Sequence, residues 1–295
     1  MKNVWQSPAN HWKAAKPYRL SVGLSNLINE HTYMQTDILQ TIIAHKRKEV
    51  KQQEEAVTRL QLEALLENSA PCRSLKQALA TSATGIIAEF KRRSPSKYWI
   101  KKEADATLIP IAYEQAGATA LSILTDERFF GGLLKDIRDA RTRVTLPILR
   151  KDFIINPYQL YQSKAVGADA VLLIAAVLTP EECRDLAHLA HELQMEVLLE
   201  LHSEAELDHI NDSIDMVGVN NRNLGTFHTD VANSFRLAEL LPHDKVLVSE
   251  SGIARAETVK QLREAGFRGF LIGETFMRTP CPAETLSHFI RSLSV

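Results

Sequence analysis

Glu89 and Lys91 stand two residues apart where the apolar run Gly85-Ile86-Ile87-Ala88 runs into the turn-forming Ser94-Pro95-Ser96. A strand sends alternate side chains to opposite faces, so this carboxylate and this ammonium project to the same side of one strand end. Similar groups close four other apolar runs: Lys151, Glu200, Asn220 with Arg222, and Glu250 with Ser251. Lysines and glutamates gathered in one partly desolvated cavity shift each other's pKa values, which supplies a general acid and a general base together. Surface ion pairs would give the same local pattern. Buried strand ends are apolar unless paired or functional, however, so five polar ends among eight favour the catalytic reading.

The eight runs are 85–91, 119–125, 146–151, 169–175, 196–201, 214–220, 245–250 and 269–273, with helical patterns such as 107–116 and 258–265 between them. This alternation builds a parallel sheet through right-handed crossovers, and Gly117, Gly167 and Gly266 mark helix ends. Val171-Leu172-Leu173-Ile174 is apolar without alternation, as a strand covered on both faces must be. Eight such units predict an α/β fold, a (β/α)8 TIM barrel, whose active site occupies the C-terminal ends of the strands. A doubly wound dinucleotide fold loses support, because no G-x-G-x-x-G follows the first strand and no G-x-x-x-x-G-K-[ST] occurs. Helical patterns around Ile42, Leu62 and Leu75 are expected to cover an open end of the barrel, with Thr36 or Asp37 capping the first. They form the N-terminal helical extension of a single domain over 34–295, and 1–33 are expected to be peripheral.

With 35 basic against 36 acidic residues, the chain lacks the cationic excess of a nucleic-acid or acidic-membrane binder, so Lys91-Arg92-Arg93 is not read as a nucleic-acid patch. Small molecules are the expected partners. Cys72, Cys183 and Cys281 are widely separated, which suggests neither disulfides nor a cysteine metal site and fits the cytoplasm. Residues 1–29 carry Lys2, Lys13, Lys16 and Arg19 and no acidic residue, a bias that a transit peptide would share, but a peripheral extension is the simpler reading. His191-Glu192 lacks the second histidine of H-E-x-x-H, and no metal is expected. Loops after the seventh and eighth strands of such barrels commonly hold phosphate on backbone N–H groups. Here they contain Gly252 and Gly273, which let main chain approach an anion, and Glu274, whose acidic side chain must then point away.

Glu89-Phe90-Lys91-Arg92-Arg93-Ser94-Pro95-Ser96-Lys97, Phe129-Phe130-Gly131-Gly132, Leu149-Arg150-Lys151-Asp152-Phe153-Ile154, Leu199-Glu200-Leu201-His202, Gly218-Val219-Asn220-Asn221-Arg222-Asn223-Leu224, Ser249-Glu250-Ser251-Gly252-Ile253 and Leu271-Ile272-Gly273-Glu274 resemble, in order and spacing, the indole-3-glycerol-phosphate synthase family. The resemblance spans roughly residues 36–290. It implies a lyase that closes the indole ring of carboxyphenylamino-deoxyribulose phosphate with loss of carbon dioxide and water, using no cofactor and no metal. It further implies Lys151 as general acid, Glu200 as general base, Lys91 as a substrate-binding lysine and second proton donor, and Glu89, Asn220, Glu250 and Ser251 as groups that hold substrate hydroxyls and orient the lysines. Ser94, Gly252, Gly273 and Glu274 match the phosphate contacts, Arg222 a grip on a substrate anion, and Phe130, Phe153 and Leu224 the pocket of the aromatic ring. A monomer is expected, with association with other tryptophan-pathway enzymes left open. Tyr98 stands where the family usually has glycine and Leu133 where it has serine, and a positive φ at 98 would strain the first active-site loop. Alternatives are another sugar-phosphate barrel such as phosphoribosylanthranilate isomerase, which relies on a Cys and Asp pair, or a non-catalytic barrel.

Overall fold

Each apolar run contains one strand of a closed parallel barrel: β1 (Ile86–Phe90), β2 (Ala120–Leu124), β3 (Ile148–Lys151), β4 (Ala170–Ile174), β5 (Glu196–Leu201), β6 (Met216–Asn220), β7 (Val246–Glu250) and β8 (Gly269–Ile272). They pair in the order β1-β8-β7-β6-β5-β4-β3-β2, and β1–β2 pairing completes the ring. The computed structural model describes residues 38–67, 69–223, 225 and 227–293. The proposed caps Thr36 and Asp37, the extension over 1–33 and the pocket residue Leu224 lie outside them.

Every strand residue from Ile86 to Phe90 and from Ala170 to Ile174 is buried. Alternation explains why. Ile87, Leu172, Leu198, Met216, Val248 and Leu271 fill the barrel interior, while Ile86, Ala88, Val171, Leu173, Val197 and Val217 face the surrounding helices. A strand apolar on both faces therefore carries no period-2 signal. Local chemistry fixes the crossovers: Asn156 caps helix Pro157–Val166, Pro157 stands at its first position, and Gly167 ends it at φ 87°.

The three N-terminal helices do not share one end of the barrel. Helix α1 (Ile38–Ala56) lays Ile38, Leu39 and Ile42 over the C-terminal mouth, where they line the central cavity. Helix α3 (Leu75–Thr81) packs Leu75 and Leu79 with the interior residues at the opposite end, and Ser74 beside it donates to Glu196 at the start of β5. Helix α2 (Arg59–Leu66) packs outside, with Leu62 against Tyr158 and Tyr161. The expected single cover is thus divided among mouth, base and flank, because each helix has its own apolar face to bury.

A two-stranded ribbon, Arg93–Ser94 with Tyr98–Trp99, follows β1 and has no counterpart in the sequence reading. Its strands are two residues long, too short to show periodicity. Tyr98 adopts φ 53° there and is 72% exposed, so the expected positive φ is present and its side chain bears left-handed backbone in solvent. Leu133 precedes helix Leu134–Arg141 in extended conformation and supplies no side-chain cap; instead Asp136 Oδ2 accepts the Leu133 N–H at 3.0 Å.

Candidate active site

Lys151, the last residue of β3, reaches across the mouth to Glu200 of β5 (Nζ–Oε2 2.7 Å) and to Glu250 of β7 (3.5 Å). All three side chains are at most 15% exposed. Asn220 of β6 donates to the other Glu200 oxygen at 3.1 Å. Glu89 and Lys91 share a face as their spacing requires, and Lys91 Nζ donates to Glu89 Oε1 at 2.5 Å. The predicted catalytic groups therefore converge on one cavity of about 300 Å³.

Burial by itself lowers the pKa of the Lys151 ammonium, but the Glu200, Glu250 and Glu89 carboxylates outweigh it and hold the group charged above the usual lysine value. The two acids separate. Desolvation alone would raise Glu200, yet Lys151 and His202 overcome it and keep its carboxyl well below the usual range. The Glu250 carboxyl oxygens make no hydrogen bond among the described residues, and desolvation, reinforced by the Glu200 and Glu89 carboxylates, outweighs Lys151 and drives its pKa up. Carboxyls pushed apart in this way take different roles: an ionised base beside the ammonium, and a second acid that is reluctant to ionise.

Two glycines make room for these acids. A Cβ on Gly218 would lie 2.4 Å from Glu250 Oε1, and one on Gly273 would lie 2.2 Å from Glu89 Oε1. Gly273 thus has a steric reason to be glycine in addition to the expected anion approach.

The cavity has unlike ends. Phe130 and Phe153 pack with ring centroids 6.0 Å apart and, with Ile38, Leu39 and Ile42 of α1, form an apolar wall. At the other end Ser94 is buried with its Oγ unpartnered, close to Ser251, Gly252 and Gly273 on the cavity lining. Ser251 and Gly252 both have left-handed backbone, φ 67° and 77°, and Asn221 holds the turn by donating to the Ser251 carbonyl at 3.1 Å. Glu274 does not turn away: its carboxylate faces Arg222 Nη2 at 3.5 Å and Lys97 Nζ at 4.0 Å. It pairs with Arg222, the cation expected to grip a substrate anion.

The basic run scatters. Lys91 enters the cavity, Arg92 pairs with Asp136, and Arg93 donates to the Arg128 carbonyl. Sequence reasoning missed Phe227, Thr229 and Arg278 on the lining and, above all, Lys46 of α1. Lys46 is 1% exposed and its ammonium pairs with Asp126 at 2.9 Å, Asp152 at 3.0 Å and Glu49 at 3.1 Å. Asp126 caps the short helix that carries Phe130, and Asp152 follows Lys151. Among the described residues no group of three or more His, Cys, Asp or Glu is placed to hold a metal ion. Cys72, Cys183 and Cys281 are free thiols and none lines the cavity.

A family profile described as indole-3-glycerol phosphate synthase matches residues 39–293. A Bacteroides thetaiotaomicron protein of that name is 65% identical over 257 residues, covering 87% of this chain and 99% of its own. Namesakes from Neisseria gonorrhoeae and Acidithiobacillus ferrooxidans are 46% and 40% identical, covering 82% and 86% of this chain and 95% and 98% of theirs. Among solved structures, the alpha subunit of tryptophan synthase from Legionella pneumophila superposes with TM-score 0.55 at 15% identity, over 76% of this chain and 97% of that one. This last likeness concerns the fold alone.

Proposed function

Because the chain belongs to the indole-3-glycerol phosphate synthase family, we propose that Lys151 and Glu200 are the acid and base of its reaction. The protein is a lyase of tryptophan biosynthesis. It closes the indole ring of 1-(2-carboxyphenylamino)-1-deoxyribulose 5-phosphate to indole-3-glycerol phosphate, with release of carbon dioxide and water. The observation that carries the assignment is the Lys151 ammonium, held between Glu200 and Glu250 midway between an aromatic wall and a polar, glycine-lined end.

In this reading the anthranilate ring lies against Phe130 and Phe153, and the phosphate lies against Ser94 Oγ and the backbone at Gly252 and Gly273. Binding at both ends leaves the ketone carbon between the lysines. The ring carbon attacks the ketone, and Lys151 protonates the alkoxide as it forms. Decarboxylation restores the aromatic ring. Lys91, oriented by Glu89, assists departure of the hydroxyl, while Glu200, oriented by Asn220, takes the amine proton. Glu250 and Ser251 hold substrate hydroxyls. Arg222 turns from Glu274 to a substrate anion, a charge exchange that leaves no cation uncompensated in either state. A cytoplasmic setting fits the three free, separated thiols, and a monomer acting on this small molecule, open to association with other enzymes of the pathway, completes the proposal.

The direct test compares wild type with Glu200→Gln, following the indole product by fluorescence. Loss of about 10² to 10⁴ in kcat with saturable substrate binding supports the base assignment. Turnover within tenfold of wild type overturns it. A second expectation concerns space rather than charge. Gly218→Ala forces the Glu250 carboxylate from its place, and since a shift of about 1 Å in a catalytic constellation can cost 10²-fold, kcat/KM should fall by about that factor. An unchanged kcat/KM would show that Glu250 need not sit where Gly218 admits it.

A further inference from the structure

The proton that Glu200 collects must leave before the next turnover, and the front of the site is filled by substrate. Behind Glu200 stands His202, two residues on along β5 and its following turn, with Nε2 3.3 Å from Glu200 Oε1 and Nδ1 3.7 Å from Glu206 Oε2. The imidazole side chain is 13% exposed. It belongs to the lining of a second, polar cavity, not of the first. Asn220 borders both, so Glu200 and His202 together form part of the wall between them. The second cavity runs past Asp230 and Arg236, both exposed, and so opens to solvent.

We propose that His202 is a relay residue that returns Glu200 to its ionised state by passing the substrate's proton through the wall to Glu206 and the solvent-open polar cavity. The proposal rests on Glu200 being the general base. The charged or titratable groups facing His202 are Glu200 from β5, Glu206 from the turn Glu204–His209, and His228, Asp230 and Arg236 across the polar cavity. At rest, burial lowers the imidazole pKa, but Glu200 and Glu206 prevail and push it up to about 9, so the ring is an imidazolium near neutral pH. Once Glu200 takes the amine proton, its charge vanishes and the imidazolium loses one of its two anions. The Nδ1 proton then departs toward Glu206 and water, the neutral ring turns to bring its freed Nδ1 to Glu200, and that nitrogen takes the proton held there before the imidazolium turns back. One proton enters from the amine, one leaves to solvent, and His202 and Glu200 end as they began.

His202 touches Glu200 and not the reacting carbons, so its loss should leave substrate binding alone. His202→Gln is expected to lower kcat by about tenfold or more with KM within twofold, to raise the solvent deuterium isotope effect on kcat, and to recover rate as imidazole is added. Glu206→Gln is expected to raise the isotope effect in the same direction, and it stands as the test if His202→Gln does not fold. An unchanged kcat, or a fall that imidazole does not reverse and that leaves the isotope effect at its wild-type value, overturns the relay. Glu200→Gln separates the two readings. If it is inactive while His202→Gln turns over normally, the relay fails and the base assignment stands. If Glu200→Gln retains turnover, the base assignment fails first.

Discussion

Lys151→Met is expected to lose about 10² to 10⁴ in kcat, roughly 3 to 5 kcal/mol of transition-state stabilisation, while keeping its fold. The loss has two parts. The alkoxide formed when the ring carbon attacks is far more basic than any lysine, so even an ammonium held above its usual pKa donates to it, and no other described cation stands beside both Glu200 and Glu250. Removing that charge also withdraws the largest influence holding the Glu200 carboxyl down, so its pKa rises and the base is more readily protonated. The sign is fixed: the pH at which base activity appears should move up in Lys151→Met and stay in place in Lys151→Arg, which keeps the charge but cannot release a proton. The fold should persist with some loss of stability, since Glu200 loses the ammonium but retains Asn220 and His202, and Glu250 already tends to the neutral acid. Steady-state fluorescence assays against pH, with thermal unfolding as a control, measure both effects. Turnover within tenfold of wild type would remove Lys151 from its assigned role.

The barrel and most of its site could be read from the sequence because both depend on short periods. Eight apolar runs with helical spacers leave few topologies, and a barrel exposes its strand ends on one rim, so Glu89, Lys91, Lys151, Glu200, Asn220 and Glu250 had to meet. What stayed hidden depends on long-range pairing. Lys46 lies in His45-Lys46-Arg47-Lys48-Glu49, which has the look of a solvated helix face, and its acids come from two distant loops. His202 was visible as part of a motif, but its function as a wall between cavities follows only from where the turn after β5 folds. Glu274 was expected to point away from an anion, and its pairing with Arg222 was hidden because that cation comes from the distant turn after β6. The ribbon at Tyr98 is too short to leave any pattern, although the departure from glycine did point to its left-handed backbone.

Lys46→Met is expected to cost about 3 to 5 kcal/mol of stability, the range for removing one partner of a buried ion pair. For a domain of this size that lowers the unfolding midpoint by about 10 °C. The reason is the charge left behind. Asp126 and Asp152 are both buried, at 0% and 3% exposure, and Lys46 is the cation they share. Burial would raise the Asp152 carboxyl, but Lys46 and Arg150 dominate and hold it well below the usual range. A carboxyl depressed in the folded state contributes stability above its unfolded pKa, near 4, and loses it as pH falls through the folded value. Without Lys46 that depression shrinks, so the gap in stability between variant and wild type should be widest near neutral pH and should narrow as pH falls below about 4. Pairing Lys46→Met with Asp152→Asn should recover part of the loss, since the second change removes a charge the first leaves unpaired. Thermal unfolding of the single and double variants across pH measures this directly. An unfolding midpoint within a few degrees of wild type, or a gap that widens in acid, would mean that the apolar face of α1 and its contacts through Gln53 hold the helix in place, with Lys46 adding nothing.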